Sequence, residues 1–168
     1  MYRDDITPSI ISPRNKREKT AIHYSKALNG LVNYFDAPDS TVEFIEACIA
    51  LHGYNSDDFW IATGEDLARA LATASTVAQI DRVRDRLAKQ RKRLSDWQNS
   101  RDSDGLPRPM LVSIRCEYLE SEKQWRYEYG LPIAGLIRQI IIDAPVGATH
   151  KKLKSAVGKV AKDYLMAT

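Results

Sequence analysis

Two cysteines and three histidines in 168 residues leave little from which to build a metal centre or a disulfide framework. Cys48 and Cys116 stand far apart in apolar surroundings, without a C-x-x-C or H-x-x-x-H pattern, and read as reduced core thiols. His23, His52 and His150 are scattered, and no ligand type stands at metal-binding spacing from His52. There is no phosphate loop of the G-x-x-x-x-G-K-S/T type, because Gly158-Lys159 runs into Val160 without the upstream glycine. There is no G-x-S-x-G elbow either. No run is long or apolar enough to span a bilayer, and residues 1–19 lack the apolar core of a secretion signal. The expectation is a non-enzymatic protein without metal, cofactor or membrane partner, located in the cytoplasm. A catalytic site assembled in space stays open, but no residue pattern recommends one.

What is present is a hydrophobic fraction of 43%, enough for one globular domain with a real core. The formal net charge of +3 hides a segregation. Residues 1–19 carry +2, 76–98 carry +4 and 149–168 carry +4, whereas 20–75 carry −6 and 99–148 carry −1. Three basic segments and an acidic half suggest a face for a polyanion; charged tails kept for solubility are the plainer alternative.

Residues 1–19 hold Pro8, Pro13 and polar residues without a period, and read as a disordered basic arm. Its Arg14, Lys16, Arg17 and Lys19 either reach phosphates or a minor groove, or belong to a plain tail. Ala21, Tyr24, Leu28, Leu31 and Phe35 step by three and four and predict a helix ended by Asp36-Ala37-Pro38. Ser40 and Glu43 fit a capping box for a second helix, with Val42, Ile45, Cys48, Ile49 and His52 on one face and Gly53 as its stop. Phe59, Trp60 and Ile61 form a short apolar anchor or a single strand. Thr63-Gly64-Glu65-Asp66 opens a short helix with Leu67, Ala70 and Leu71 inward; its paired carboxylates suit a helix start better than a metal.

The stretch from Thr76 to Gln98 organises the chain. Ile80, Val83, Leu87, Leu94 and Trp97 make an apolar seam, with Gln90 in its one polar slot. Thr76 and Gln79 fit a capping box. Arg82, Arg86, Lys89 and Arg93 repeat at four, three and four and form a second stripe. That stripe is either a guanidinium row offered to nucleic acid or the solvated flank of a packed helix.

A flexible loop, 99–107, follows. Met110, Val112, Ile114, Cys116 and Tyr118, then Trp125, Tyr127 and Tyr129, alternate with charged residues around Glu120-Ser121-Glu122-Lys123 and predict a β-hairpin over about 110–129. Pro132 opens a helix carrying Ile133, Leu136, Ile137, Ile140 and Ile141, although Ile140–Ile142 also suits a strand. A last helix presents Leu153, Ala156, Val157, Val160, Tyr164 and Leu165 on one side, with five lysines around the rest. The predicted class is mostly α with one hairpin: an arm at 1–19, a core at 20–130, and helices at 131–168 that pack on the core or pair two copies.

Short helix, turn, long basic helix and hairpin, preceded by two helices, together resemble the winged helix-turn-helix superfamily over roughly residues 20–130. In that family the second helix of the motif enters the major groove and the hairpin lies across the backbone. The resemblance implies that Thr76, Gln79, Arg82 and Arg86 face bases. It places Thr73, Ser75, Lys89 and Arg93, with Arg115 and Arg126 on the hairpin, near phosphates. The acidic hairpin tip departs from the basic wings that touch DNA. The expected function is sequence-specific double-stranded DNA binding as a homodimer, in transcription regulation or in plasmid or phage replication or partition control. The alternative is a protein-docking module that uses the acidic 20–75 segment.

Overall fold

The computed structural model describes residues 15–71 and 76–167. Within them the chain is mostly helical with a small three-stranded antiparallel sheet. The Asn15 side chain accepts the Glu18 amide and starts α1 (Lys16–Phe35). Lys16, Arg17 and Lys19 are therefore helical, which moves the boundary of the expected arm; residues 1–14, including Arg14, lie outside the described part. Asp36, in a left-handed conformation at φ 59°, ends the helix. The buried stripe of α1 holds His23, Ala27, Leu28, Leu31, Val32 and Phe35, whereas Ala21 is exposed. It is rotated from the predicted face because α1 packs on both C-terminal helices.

The Ser40–Glu43 capping box does not form. A short 3-10 turn (Asp39–Thr41) leads into α2 (Val42–His52), with the Thr41 hydroxyl donating to the Pro38 carbonyl. Glu43 reaches a distant arginine instead. Phe44, Ile45, Ala47, Cys48 and Ile49 are buried, and Gly53 at φ 78° stops the helix. The anchor around Trp60 is a complete strand, β1 (Phe59–Thr63). Thr63 and Asp66 close a reciprocal capping box on α3 (Gly64–Ala70). Thr76 and Gln79 do the same for α4 (Val77–Gln98).

The hairpin is β2 (Ser113–Leu119) and β3 (Gln124–Gly130), and the strand order is β1-β3-β2. A sheet of three strands thus replaces the expected lone hairpin. Its cause lies in β3, whose Tyr127 and Tyr129 are fully buried and need cover on both sides. Ala62 stands opposite Tyr127 and Trp60 opposite Tyr129 on β1, while Cys116 and Ile114 flank them on β2. The hairpin also starts later than Met110. Gln98, at the end of α4, accepts the Leu111 and Val112 amides and donates to the Val112 carbonyl, which draws those residues out of the ladder.

Pro132 occupies the first turn of α5 (Pro132–Asp143), which is helical through Ile140–Ile142. The last helix is α6 (His150–Ala167). Both pack on α1 and share one hydrophobic core with α2, α3, α4 and the sheet. His23 Nε2 lies 2.7 Å from the Ala144 carbonyl, and the Tyr164 hydroxyl donates to the Met110 carbonyl. Both cysteines are free; Cys48 is buried and Cys116 half-buried. Burial pushes the Cys48 thiol far up, against the opposing influence of the nearby Tyr129 hydroxyl.

Candidate nucleic-acid interface

The seam of α4 fixes where its charges point. Ile80, Val83, Leu87, Gln90, Leu94 and Trp97 are all buried. At 3.6 residues per turn, the crest directly opposite that seam carries Asp81, Asp85, Lys92 and Asp96, all well exposed except the half-buried Asp81. Arg82, Arg86, Lys89 and Arg93 lie to one side of the crest, on the flank turned towards α2. The other flank carries Arg84 and Arg91 and meets the hairpin: the Arg91 guanidinium sits 5.2 Å from the centre of the Trp125 ring.

The four members of the predicted row have different fates. Arg86 is held by both oxygens of Glu43, from Nε at 2.6 Å and from a terminal nitrogen at 2.8 Å. Gln90 donates to the same carboxylate at 2.9 Å and accepts the Phe44 amide at 2.8 Å, which locks the pair between α2 and α4. The Arg86 fork is the largest cause holding the Glu43 carboxyl below its ordinary value, against burial. Glu46, one turn on, is pushed the other way by burial and then by the Glu43 charge. Arg82, Lys89 and Arg93 are exposed and make no ion pair among the described residues. The acidic half of the chain therefore occupies one guanidinium of the row and leaves three cations open.

Thr76 and Gln79 stand at the start of α4, where each satisfies the other's backbone amide. Reading a base would break that cap, worth about 1 kcal/mol. Thr73 and Ser75 lie outside the described residues. On the outer face of the sheet, Arg126 pairs with Glu117 at 2.9 Å and Arg115 lies 3.6 Å from Glu128. The pairs are cross-strand neighbours, so that patch is neutral. At the hairpin tip, Glu122 accepts from the Gln124 amide, whose own oxygen accepts the Glu65 amide at the start of α3. The tip is thereby tied to the helix pair.

Sequence reasoning missed the role of Glu43, which local spacing assigns to a cap. It lies 43 residues from Arg86 and nothing local announces the fork. It also missed the stacking of His52 on Trp60, with ring centres 4.4 Å apart. Burial lowers the His52 imidazole below its ordinary value, against the pull of Asp66. No cluster of three metal-ligating side chains occurs among the described residues, and no described helix is long and apolar enough to cross a membrane. No family model matches this chain, and no curated protein and no solved structure matches it either.

Proposed function

We propose that this chain is a non-enzymatic double-stranded DNA-binding protein that meets the phosphate backbone with the α2-facing flank of α4. The observation that carries the reading is the open trio Arg82, Lys89 and Arg93 on one flank of a helix seated along its whole length. Those side chains span about three helical turns and suit phosphates along one strand. The helix pair α3–α4, with α2 on one side and the hairpin tied to the other, supports the winged helix-turn-helix resemblance. Base reading falls to Arg82, and to Arg86 once it leaves Glu43, because Thr76 and Gln79 are committed to the cap. A regulator or a replication or partition factor acting as a homodimer on a two-part site fits this geometry.

The test is a titration of random duplex, and of a fragment from the gene's own upstream region, at two salt concentrations. Salt-sensitive binding that is tighter on the upstream fragment supports the proposal; no binding at low salt removes it. Light scattering addresses the dimer, and a monomer at tens of micromolar removes the two-part site.

The second reading is a protein-docking module. It is favoured by the acidic crest of α4 and the self-neutralised outer face of the hairpin, neither of which suits a polyanion.

A further inference from the structure

Away from α4, α1 and α6 pack closely at one point and then part. A Cβ on Gly30 would stand 3.1 Å from Val157 Cγ2, tighter than ordinary contact, so the bare residue 30 eases the close approach of the helices. At Gly158 the Tyr34 ring closes in from α1, and a Cβ there would stand in ordinary contact with Tyr34 Cε2 at 3.9 Å. The matched pairs Gly30 with Val157, Tyr34 with Gly158, and Phe35 with Tyr164 advance together, so the helices run in the same sense. A groove of about 690 Å³ lies between them. That is a volume typical of small-molecule sites.

The two walls are built on the same helical spacing and give the groove two unlike ends. Lys26 on α1 and His150 and Lys154 on α6 come from the early turns of the lining and gather at one end. No carboxylate lines the groove, and neither lysine makes an ion pair among the described residues. The positive end of the α6 dipole adds to the same field. At the other end the Tyr34 ring, 46% exposed, lies against Gly158 and keeps a face open. Between them Asn29 and Asn33 offer amides, and Val157 forms an apolar floor. The Asn29 amide nitrogen is spent on the Ser25 carbonyl, which leaves its oxygen as an acceptor.

We propose that this groove binds a nucleoside phosphate, with the phosphate at Lys26, His150 and Lys154 and the base stacked on the exposed face of Tyr34. A cationic end suits an anion, and an exposed aromatic ring suits stacking by a flat one. The asparagine amides favour a ring with hydrogen-bonding edges over an acyl chain. The phosphate belongs either to a free mononucleotide or to the end of a single strand, and both are tested. This site shares no residue with the α4 flank, so either assignment stands or falls without the other.

The experiment is an NMR titration of the full chain with AMP, and in parallel with adenosine, inorganic phosphate, laurate and a short 5′-phosphorylated single strand. The expected result is saturable AMP shifts confined to residues 26–34 and 150–158, with adenosine and phosphate each weaker by about tenfold or more. Preference between AMP and the phosphorylated strand identifies the source. Lys26→Gln with Lys154→Gln should weaken AMP by about tenfold or more. Tyr34→Ala should weaken AMP by about tenfold or more and leave inorganic phosphate unchanged. Absence of saturable shifts with both AMP and the strand overturns the proposal. So does phosphate or laurate binding as tightly as AMP, or an unchanged affinity in the double lysine variant.

Discussion

α4 and α6 are both strongly basic helices, yet they spend their charge differently. On α4, Arg86 is forked to Glu43, Lys92 bridges to Asp96, Arg84 lies by Asp81 and Asp85, and Arg91 covers Trp125. On α6, none of the five lysines makes an ion pair among the described residues. The difference follows from the neighbours. α4 is wedged against the acidic α2 and carries its own aspartates, whereas α6 packs on α1 and α5 through small apolar residues. A basic residue in a sequence is therefore not yet an available cation. What counts is how many carboxylates the fold delivers to it.

The comparison breaks first if α4 is not seated as described. Leu87 is fully buried, and Leu87→Ala should cost about 2–5 kcal/mol in urea unfolding, whereas Lys159→Ala on α6 should stay within about 0.5 kcal/mol of zero. A loss at Leu87 no larger than that at Lys159 refutes the seam. Gln90 links the seam to the Glu43 fork. Gln90→Leu leaves the Phe44 amide without its buried acceptor, an expected cost of about 1–3 kcal/mol by the same measurement. A neutral substitution would mean that the buried amide finds another acceptor.

A smaller effect, about 1 kcal/mol, is expected for Thr76→Ala through loss of the α4 cap. The Thr149 hydroxyl accepts the Lys152 amide in the same way at the start of α6, so Thr149→Ala should cost a similar amount, about 1 kcal/mol. A loss at Thr76 well below that at Thr149 would contradict the cap at the start of α4.

The smallest stability change, under about 1 kcal/mol, is expected for Glu43→Gln, because the side chains of Arg86 and Glu43 are 51% and 33% exposed. Its signature is in pH. The folded pKa of Glu43 is lowered, so its contribution is present above the unfolded value and is lost as pH falls through the lowered folded value. That part of the acid limb should be missing in Glu43→Gln, and superimposable pH profiles would contradict the fork. The same substitution frees Arg86 and makes α4 more like α6. Duplex affinity should rise, and the salt slope should steepen by about one unit.

How much was legible depended on distance along the chain. The helix start at Thr63–Asp66, the capping box at Thr76–Gln79, the seam from Ile80 to Trp97 and the alternation through Tyr127 and Tyr129 are local patterns, and each appears in the structure. β1 was legible as an apolar anchor or a single strand but not as part of a sheet, because its partner β3 begins 61 residues after the end of β1 and five residues carry little period of their own. Glu43 matched a capping box by spacing, yet Arg86 competes for the same carboxylate from another helix. The α1–α6 groove had no sequence signal, since Gly30 acquires meaning only once Val157 is set against it.

The account rests on α4 rather than α6 as the surface that meets duplex DNA, and parallel salt titrations of two triple variants decide it. Arg82→Ala with Lys89→Ala and Arg93→Ala should weaken duplex binding by about tenfold or more and flatten the salt slope by about two to three units. Lys152→Gln with Lys159→Gln and Lys162→Gln should change both far less. The reverse order, or equal losses from both, would contradict the account.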